Sequence, residues 1–551
     1  MTGVRFGLLA LVICGMSVLA HAEALRIPKA GHRSVVEVDP GRTNRISVSF
    51  EVPIVDIQQM WTPDRERPLL ERKWWVSFAV GPQRDMPYLA FFNINEENVF
   101  SFGSESLGWD NLIDAKINQE RGVYEVLLTV ASGEGRTLRP FKITMDRRKV
   151  PWTAALADWR LSLHHGKGRY PEAAWRPVFC SWYAAHAAIT QEWVERTAEI
   201  AADLGFGTFI LDDGWSYDEG KRVNPETLKT WYRDVGKWDS FSKAKFPDFK
   251  THRERMRRTG LKYVVWVAPY FIGTRTDAFR RWGFDRRPDL QQVEGNVLAD
   301  VANAGMMDDV VGQLETLLSE SDLDGLKIDF LDSVPPSTEE PRGAVALDFM
   351  EGMMKRLRMV KPEGLFEFRQ SYATPITARL GTQFRAGDVP FEWLSNLQRI
   401  AQIRLAMGDG IPIHADPICW ARGEKRDNIN RHFMAAMAGV PMLSMDLKRM
   451  SDEEKSVVRF WLQYYVKHVE PFQRSGKWDV VYKNGGIAYV ISECAESVLT
   501  IVNDPDVVKK VETRIKGRRS VVLNLTYESI HLESGIVVPP ARAWPDAMRP
   551  I

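Results

Sequence analysis

Leu326-Lys327-Ile328-Asp329-Phe330 sits inside the run SDLDGLKIDFLDSVPP, residues 321–336. It is a short apolar segment entered through Asp324-Gly325 and left through Pro335-Pro336, the punctuation of a buried strand. Lys327 and Asp329 lie two apart, so on a strand they point to the same side. A buried carboxylate is costly unless a cation accompanies it. A strand-end carboxylate held ionised beside a fixed cation is what a covalent nucleophile requires, and a purely structural ion pair is the alternative reading of the same five residues.

Outward from this strand the chain alternates apolar strands with helical stretches from about Arg176 to His468. Strands are expected at 178–183, 207–213, 261–268, 325–330, 365–369, 382–385, 411–414 and 440–444. Helices are expected from Gln191, near Lys250, from Met306, around Asp348, from Trp393, at Ile429 and at Asp452, with a short one after the fifth strand. Eight βα units imply parallel pairing and a closed (β/α)8 TIM barrel, whose site lies at the carboxyl ends of the strands. Those ends carry Trp182, then Asp212-Asp213-Gly214-Trp215, Lys327 and Asp329, Glu367 and Arg369, Arg385 and Asp388, and His414 and Asp416. A lone Asp after a strand usually caps or turns. So many polar groups at one rim point to a site instead. Glu367 and Arg369 are expected to pair, and His414 and His432 to make structural hydrogen bonds.

The flanks read differently. Residues 45–50, 74–80 and 124–130 alternate polar and apolar, which predicts an N-terminal β-sandwich over 23–150, with Trp74-Trp75 in its core. The barrel is assigned 151–470, and a small C-terminal antiparallel β domain 471–551. Residues 1–22 combine Arg5, an apolar run and Ala20-His21-Ala22, the pattern of a cleaved secretory signal. That predicts an exported protein, periplasmic or extracellular, with no membrane association after cleavage. The 551 residues carry 73 Lys+Arg against 72 Asp+Glu, a balance that argues against nucleic acid or an anionic membrane as partner. The cysteines left after cleavage, Cys180, Cys419 and Cys494, form neither a disulfide framework nor a zinc pattern.

Two carboxylates on different strand ends are the minimum equipment for glycoside cleavage, one attacking the anomeric carbon and one protonating the leaving oxygen. Asp329 suits the first role. Asp388, in Arg385-Ala-Gly-Asp388, suits the second, with partial burial expected to hold its proton. At this point the barrel resembles the α-galactosidases of glycoside hydrolase family 36 and their clan. The segments that carry the resemblance are Asp212-Asp213-Gly214-Trp215, Lys327-Ile328-Asp329, Arg385-Ala-Gly-Asp388 and the run from Arg431 to Glu454.

The resemblance implies a retaining exo-glycosidase acting on terminal α-galactosides by double displacement. Asp329 would be the nucleophile and Asp388 the general acid/base. Asp212, Asp213 and Lys327 would bind sugar hydroxyls, Trp182 or Trp215 would wall the pocket, and no metal or organic cofactor is implied; Arg385, Glu367 and Arg369 join the substrate-binding candidates by their strand-end positions. An α-N-acetylgalactosaminidase, a transglycosylase or a non-catalytic carbohydrate-binding barrel are the alternatives, and the oligomeric state is left open. Phe366-Glu-Phe-Arg-Gln-Ser-Tyr372 and Asp388-Val-Pro390 depart from the Cys-x-Ser-Gly-Gly and Ser-Asp-Asn patterns common in that family.

Overall fold

The structure, a computed structural model, describes residues 23–544 apart from 64–70, 165, 167, 288, 291–292 and 534. The secretory-signal segment, residues 1–22, lies outside the described residues. At the centre is a parallel sheet of eight strands: β1 Val178–Cys180, β2 Thr208–Leu211, β3 Lys262–Val267, β4 Gly325–Ile328, β5 Leu365–Arg369, β6 Gln383–Arg385, β7 Ile413–His414 and β8 Met442–Leu443. Sheet order runs β7-β6-β5-β4-β3-β2-β1-β8, and a parallel bridge from His414 to Val440 brings the two ends together. The chain therefore folds as the TIM barrel that the alternation predicts. The strands are shorter than their apolar runs, because the rim residues of each run have already turned out of the ladder.

Local chemistry accounts for the helices. Thr190 caps helix Gln191–Leu204 by accepting from the Trp193 amide, and Ser451 and Glu454 form a reciprocal capping box on helix Asp452–Tyr464. The latter helix buries Val457, Val458, Trp461 and Leu462, a helical stripe that faces the barrel. Gly325 is required where β4 begins, since a Cβ there would lie 1.8 Å from the Leu365 carbonyl oxygen.

Residues 23–146 build two five-stranded sheets. One has the order Glu23–Ala24, Arg45–Pro53, Val123–Ala131, Asp110–Asn118, Trp75–Val80, and the other Arg33–Val38, Phe141–Asp146, Asn98–Ser104, Tyr88–Phe92, Gln59–Trp61. Val48, Phe50, Phe100, Phe102, Ile113 and Leu128 fill the space between them. Trp74 and Trp75 do not join that core: they are 53% and 64% exposed, at the start of an edge strand. The sandwich docks on the barrel through buried Asp110, whose Oδ2 accepts from the Arg342 and Gly343 amides at 2.7 Å each, capping helix Gly343–Val360. Trp61, Trp152 and Trp159 continue the barrel core into the same interface.

At the other end, strands Lys477–Lys483, Gly486–Glu493, Ser497–Val502 and Arg519–Asn524 form one sheet. It is not wholly antiparallel, for the last two strands pair in parallel. Helix Val508–Ile515 lies between them and supplies the crossover that parallel pairing needs. Among the described residues no helix is long and apolar enough to cross a membrane, and no group of three or more His, Cys, Asp and Glu is placed to hold a metal ion.

Candidate active site

Asp329 follows β4 directly and is 5% exposed. Its Oδ2 accepts from the Trp266 indole N–H at 3.1 Å and its Oδ1 from the Phe330 amide at 2.9 Å. The second bond is made because the chain turns at Phe330 with φ +59°, a left-handed conformation that costs a bulky residue of order 1–3 kcal/mol and clusters at functional sites. The Phe330 ring is fixed by stacking on Phe271 at 4.7 Å, and the Arg369 guanidinium lies over it at 5.3 Å. Burial alone would push Asp329 upward, but Arg369, Lys327 and Arg385 outweigh it and hold the carboxyl below its ordinary range. It is an anion at neutral pH.

The cation closest to Asp329 is not the lysine two residues before it. Lys327 donates to Asp212 Oδ2 at 2.5 Å. Burial presses its ammonium down, and Asp212 more than restores it. Asp212 also accepts from the Cys180 thiol at 3.2 Å and from the Asp213 amide at 2.9 Å, so the aspartate, the lysine and the thiol form one buried unit across β1, β2 and β4. Asp213 faces a separate set of partners. Its Oδ2 accepts from the Trp231 indole at 2.7 Å and the Tyr217 hydroxyl at 3.3 Å, and burial pushes it up to about 6. Gly214 is left-handed at φ +108°, and a Cβ there would meet Ala187 Cα at 2.6 Å, which explains the glycine of this turn.

Across the rim, Arg369 from the end of β5 reaches both proposed acids: Nη1 is 3.5 Å from Asp329 Oδ1 and Nη2 is 3.2 Å from Asp388 Oδ2. The two carboxylates thus flank a single guanidinium. Arg385, from β6, donates to Asp388 Oδ1 at 2.8 Å and to Asp416 Oδ1 at 2.6 Å. Asp388 does not keep a proton by burial, as the sequence suggests. Desolvation pushes in that direction, but Arg369 and Arg385 override it and hold the group far below the ordinary range. A cavity of about 250 Å³ lined by Arg84, Phe330, Ser333, Arg369, Gln370 and Gly387 opens beside this pair, with Arg84 contributed by the sandwich.

This arrangement can be set against known proteins. Residues 161–346 match the Melibiase family model, a span that carries β1 to β4 and with them Asp212, Asp213, Lys327 and Asp329. The barrel is α-galactosidase-like. A bifunctional α-galactosidase/sucrose kinase of Mediterraneibacter gnavus is 24% identical over 324 residues, 55% of this chain and 32% of that protein. α-Galactosidase 1 of Pediococcus pentosaceus is 23% identical over 339 residues, 55% of this chain and 42% of that one. The chain thus spans about a third to two fifths of the length of these two relatives.

Among solved structures, the family 36 α-galactosidase AgaA of Geobacillus stearothermophilus superimposes with a TM-score of 0.64 at 14% identity, over 84% of this chain and 70% of that one. The galactosidase domain of the α-galactosidase–sucrose kinase AgaSK gives 0.63 at 16% identity, over 94% and 75%. At these identities the superpositions speak for the fold, a barrel flanked by β domains.

Several expected site residues stand elsewhere in the α-galactosidase-like barrel. Trp215 is fully buried with its indole bonded to the Trp266 carbonyl, so it supports the rim from behind and walls nothing. Trp182 is half-buried and packs edge-on against Trp231 at 5.7 Å; of the two tryptophans it alone keeps exposed surface. Glu367 is 1% exposed and sits one layer below the rim, accepting from Gln383 at 2.9 Å, with His414 at 3.5 Å and Arg385 at 3.6 Å. It does not pair with Arg369. His414 is fully buried and bonds the Ala174 carbonyl at 2.8 Å, too deep to meet a ligand. The residue that sequence reasoning noted without giving it a role is Asp416. It is wholly buried, and its Oδ2 takes the Tyr183 hydroxyl at 2.9 Å and the Val389 amide at 2.8 Å.

Proposed function

We propose that the protein is an exported glycoside hydrolase that cleaves terminal α-galactosides of small or oligosaccharide substrates, with retention through a double displacement. The observation that carries the reading is the shared Arg369: the strand-four and post-strand-six carboxylates face one guanidinium, on a rim whose first half matches the Melibiase model. Relatives named as α-galactosidases, and an AgaA variant structure described in complex with raffinose, support the substrate class.

In this reading Asp329 is the nucleophile. Its ionisation is secured by three cations, and its hydrogen bonds from Trp266 and Phe330 fix the oxygens for attack on the anomeric carbon. Asp388 gives its proton to the departing oxygen and then takes one from the water that releases the sugar. Asp212, oriented by Lys327, and Trp182 hold the galactose ring, a buried carboxylate being the group that rejects an epimer with a misplaced hydroxyl. The test is turnover of 4-nitrophenyl α-galactoside by the wild type and by Asp329→Asn, with product anomers followed by NMR. Release of α-galactose first, lost on the order of 10⁴-fold in the variant, is the expected result. Release of β-galactose first would overturn retention, and activity surviving in Asp329→Asn would overturn the assignment of the nucleophile.

A further inference from the structure

At the back of the rim one guanidinium nitrogen faces more acceptors than it can serve. Arg385 Nη1 carries two hydrogens but lies within hydrogen-bond distance of three oxygens: the Ala386 carbonyl at 2.9 Å, Asp388 Oδ1 at 2.8 Å and Asp416 Oδ1 at 2.6 Å. Its Nε, also buried, faces Glu367 at 3.6 Å without a hydrogen bond. Asp388 and Asp416 therefore compete for one donor. They are tied mechanically as well, because the Val389 amide, the peptide immediately after Asp388, donates to Asp416 Oδ2. Asp416 itself is held rigid, its backbone clamped by Asn396, which donates to the Asp416 carbonyl at 2.9 Å and accepts from its amide at 3.0 Å.

The two carboxylates differ in access. The Asp388 side chain is 40% exposed at the opening, while that of Asp416 is not exposed at all. We propose that Asp416 is a positioning residue that governs proton possession by Asp388: charged, it draws Arg385 away and lets Asp388 hold a proton for the leaving group. When Asp416 is neutral, Arg385 closes on Asp388 and keeps it as the anion. This deepens the glycosidase reading and rests on Asp388 being its acid/base.

The surroundings fit such a partner. Burial, opposed by Arg385 and reinforced by Asp388, pushes Asp416 up to about 7, so it changes charge near neutral pH. The groups that face it are Arg385 and Asp388 from β6 and its exit, Tyr183 from the β1 exit and Cys419 from its own loop. Glu367 and His414 lie beneath Arg385, and Arg369 and Arg399 hold Asp388 from the far side. Two interacting acids titrate as a pair, which places one proton between a site that meets substrate and a site that does not.

The test compares Asp416→Asn, Asp416→Glu and Tyr183→Phe with the wild type on methyl α-galactoside, whose leaving group needs protonation, and on 4-nitrophenyl α-galactoside, whose leaving group does not. In Asp416→Asn the alkaline limb of kcat is expected to move to lower pH by about one unit, a tenfold change in proton affinity, and the methyl glycoside to lose about tenfold more rate than the aryl glycoside. Asp416→Glu restores the limb. Tyr183→Phe, which favours neutral Asp416, shifts it in the same direction by less.

An unmoved limb with equal losses on both substrates would overturn the proposal, leaving Asp416 a structural residue. If the wild type cleaves neither glycoside, the functional reading fails separately, and the coupling is decided by carboxyl 13C NMR titration of aspartate-labelled protein with Asp388→Asn for assignment. A lower Asp388 midpoint in Asp416→Asn supports it, and identical midpoints overturn it.

Discussion

The two halves of the barrel rim solve the same electrostatic problem with different chemistry. From β1 to β4, within the span that matches the Melibiase model, each aspartate has a donor that serves no other acid of the rim: Lys327 on Asp212, Trp231 and Tyr217 on Asp213, Trp266 on Asp329. From β5 to β7, beyond that span, Arg369 and Arg385 both serve Asp388, Arg385 also serves Asp416, and Arg369 reaches across the seam to Asp329 of β4. A one-to-one arrangement fixes geometry. A shared one makes the charge of each acid depend on the others, which suits the half that must give and take a proton.

Four substitutions would break or sharpen that contrast. The largest effect is expected at the back: Asp388→Asn should lower kcat on methyl α-galactoside by on the order of 10³-fold and much less on the aryl substrate, measured by steady-state kinetics. Next, at the front, Lys327→Met should destabilise the fold by about 3–5 kcal/mol in denaturant titration, because it strands buried Asp212 without its cation. A loss below about 1 kcal/mol would mean that Asp212 finds another donor and that the front half is no more rigid than the back.

Asp213→Asn probes pH dependence. Its folded pKa of about 6 lies above the usual value near 3.9. The protonated form is therefore favoured by folding, and the stability it contributes is present below about pH 4 and lost as pH rises through about 6. The variant should flatten the unfolding free energy across that window by about 3 kcal/mol, with a residual slope from Asp110 and Asp416, which shift the same way. The smallest change is expected away from the rim, where Trp75→Ser should alter stability by under about 0.5 kcal/mol, as for an exposed surface position.

The order of strands and helices was legible because a barrel writes its period into the chain, and Asp329 was legible because a charge inside a run such as Leu326–Phe330 needs a reason. What lay beyond the sequence was direction and depth. Glu367 and Arg369 share a strand face, yet one layer of barrel separates them and gives them different partners. Trp215 and Trp75 are the same residue type with opposite fates, since an aromatic side chain does not announce whether the core or an edge strand receives it. Asp416 looked like any aspartate that opens a turn. Only the convergence of β6, β7 and the β1 exit makes it a neighbour of Asp388, and contacts of that kind between distant segments have no local signature.

The cap that Asp110 places on helix Gly343–Val360 has a consequence for modularity. The amide end of a barrel helix is finished by a carboxylate from another layer, and Arg84 of that layer lines the hollow beside Arg369. A fragment trimmed to the barrel would bare those amides and lose one wall of the hollow, so the sandwich finishes the barrel as well as flanking it.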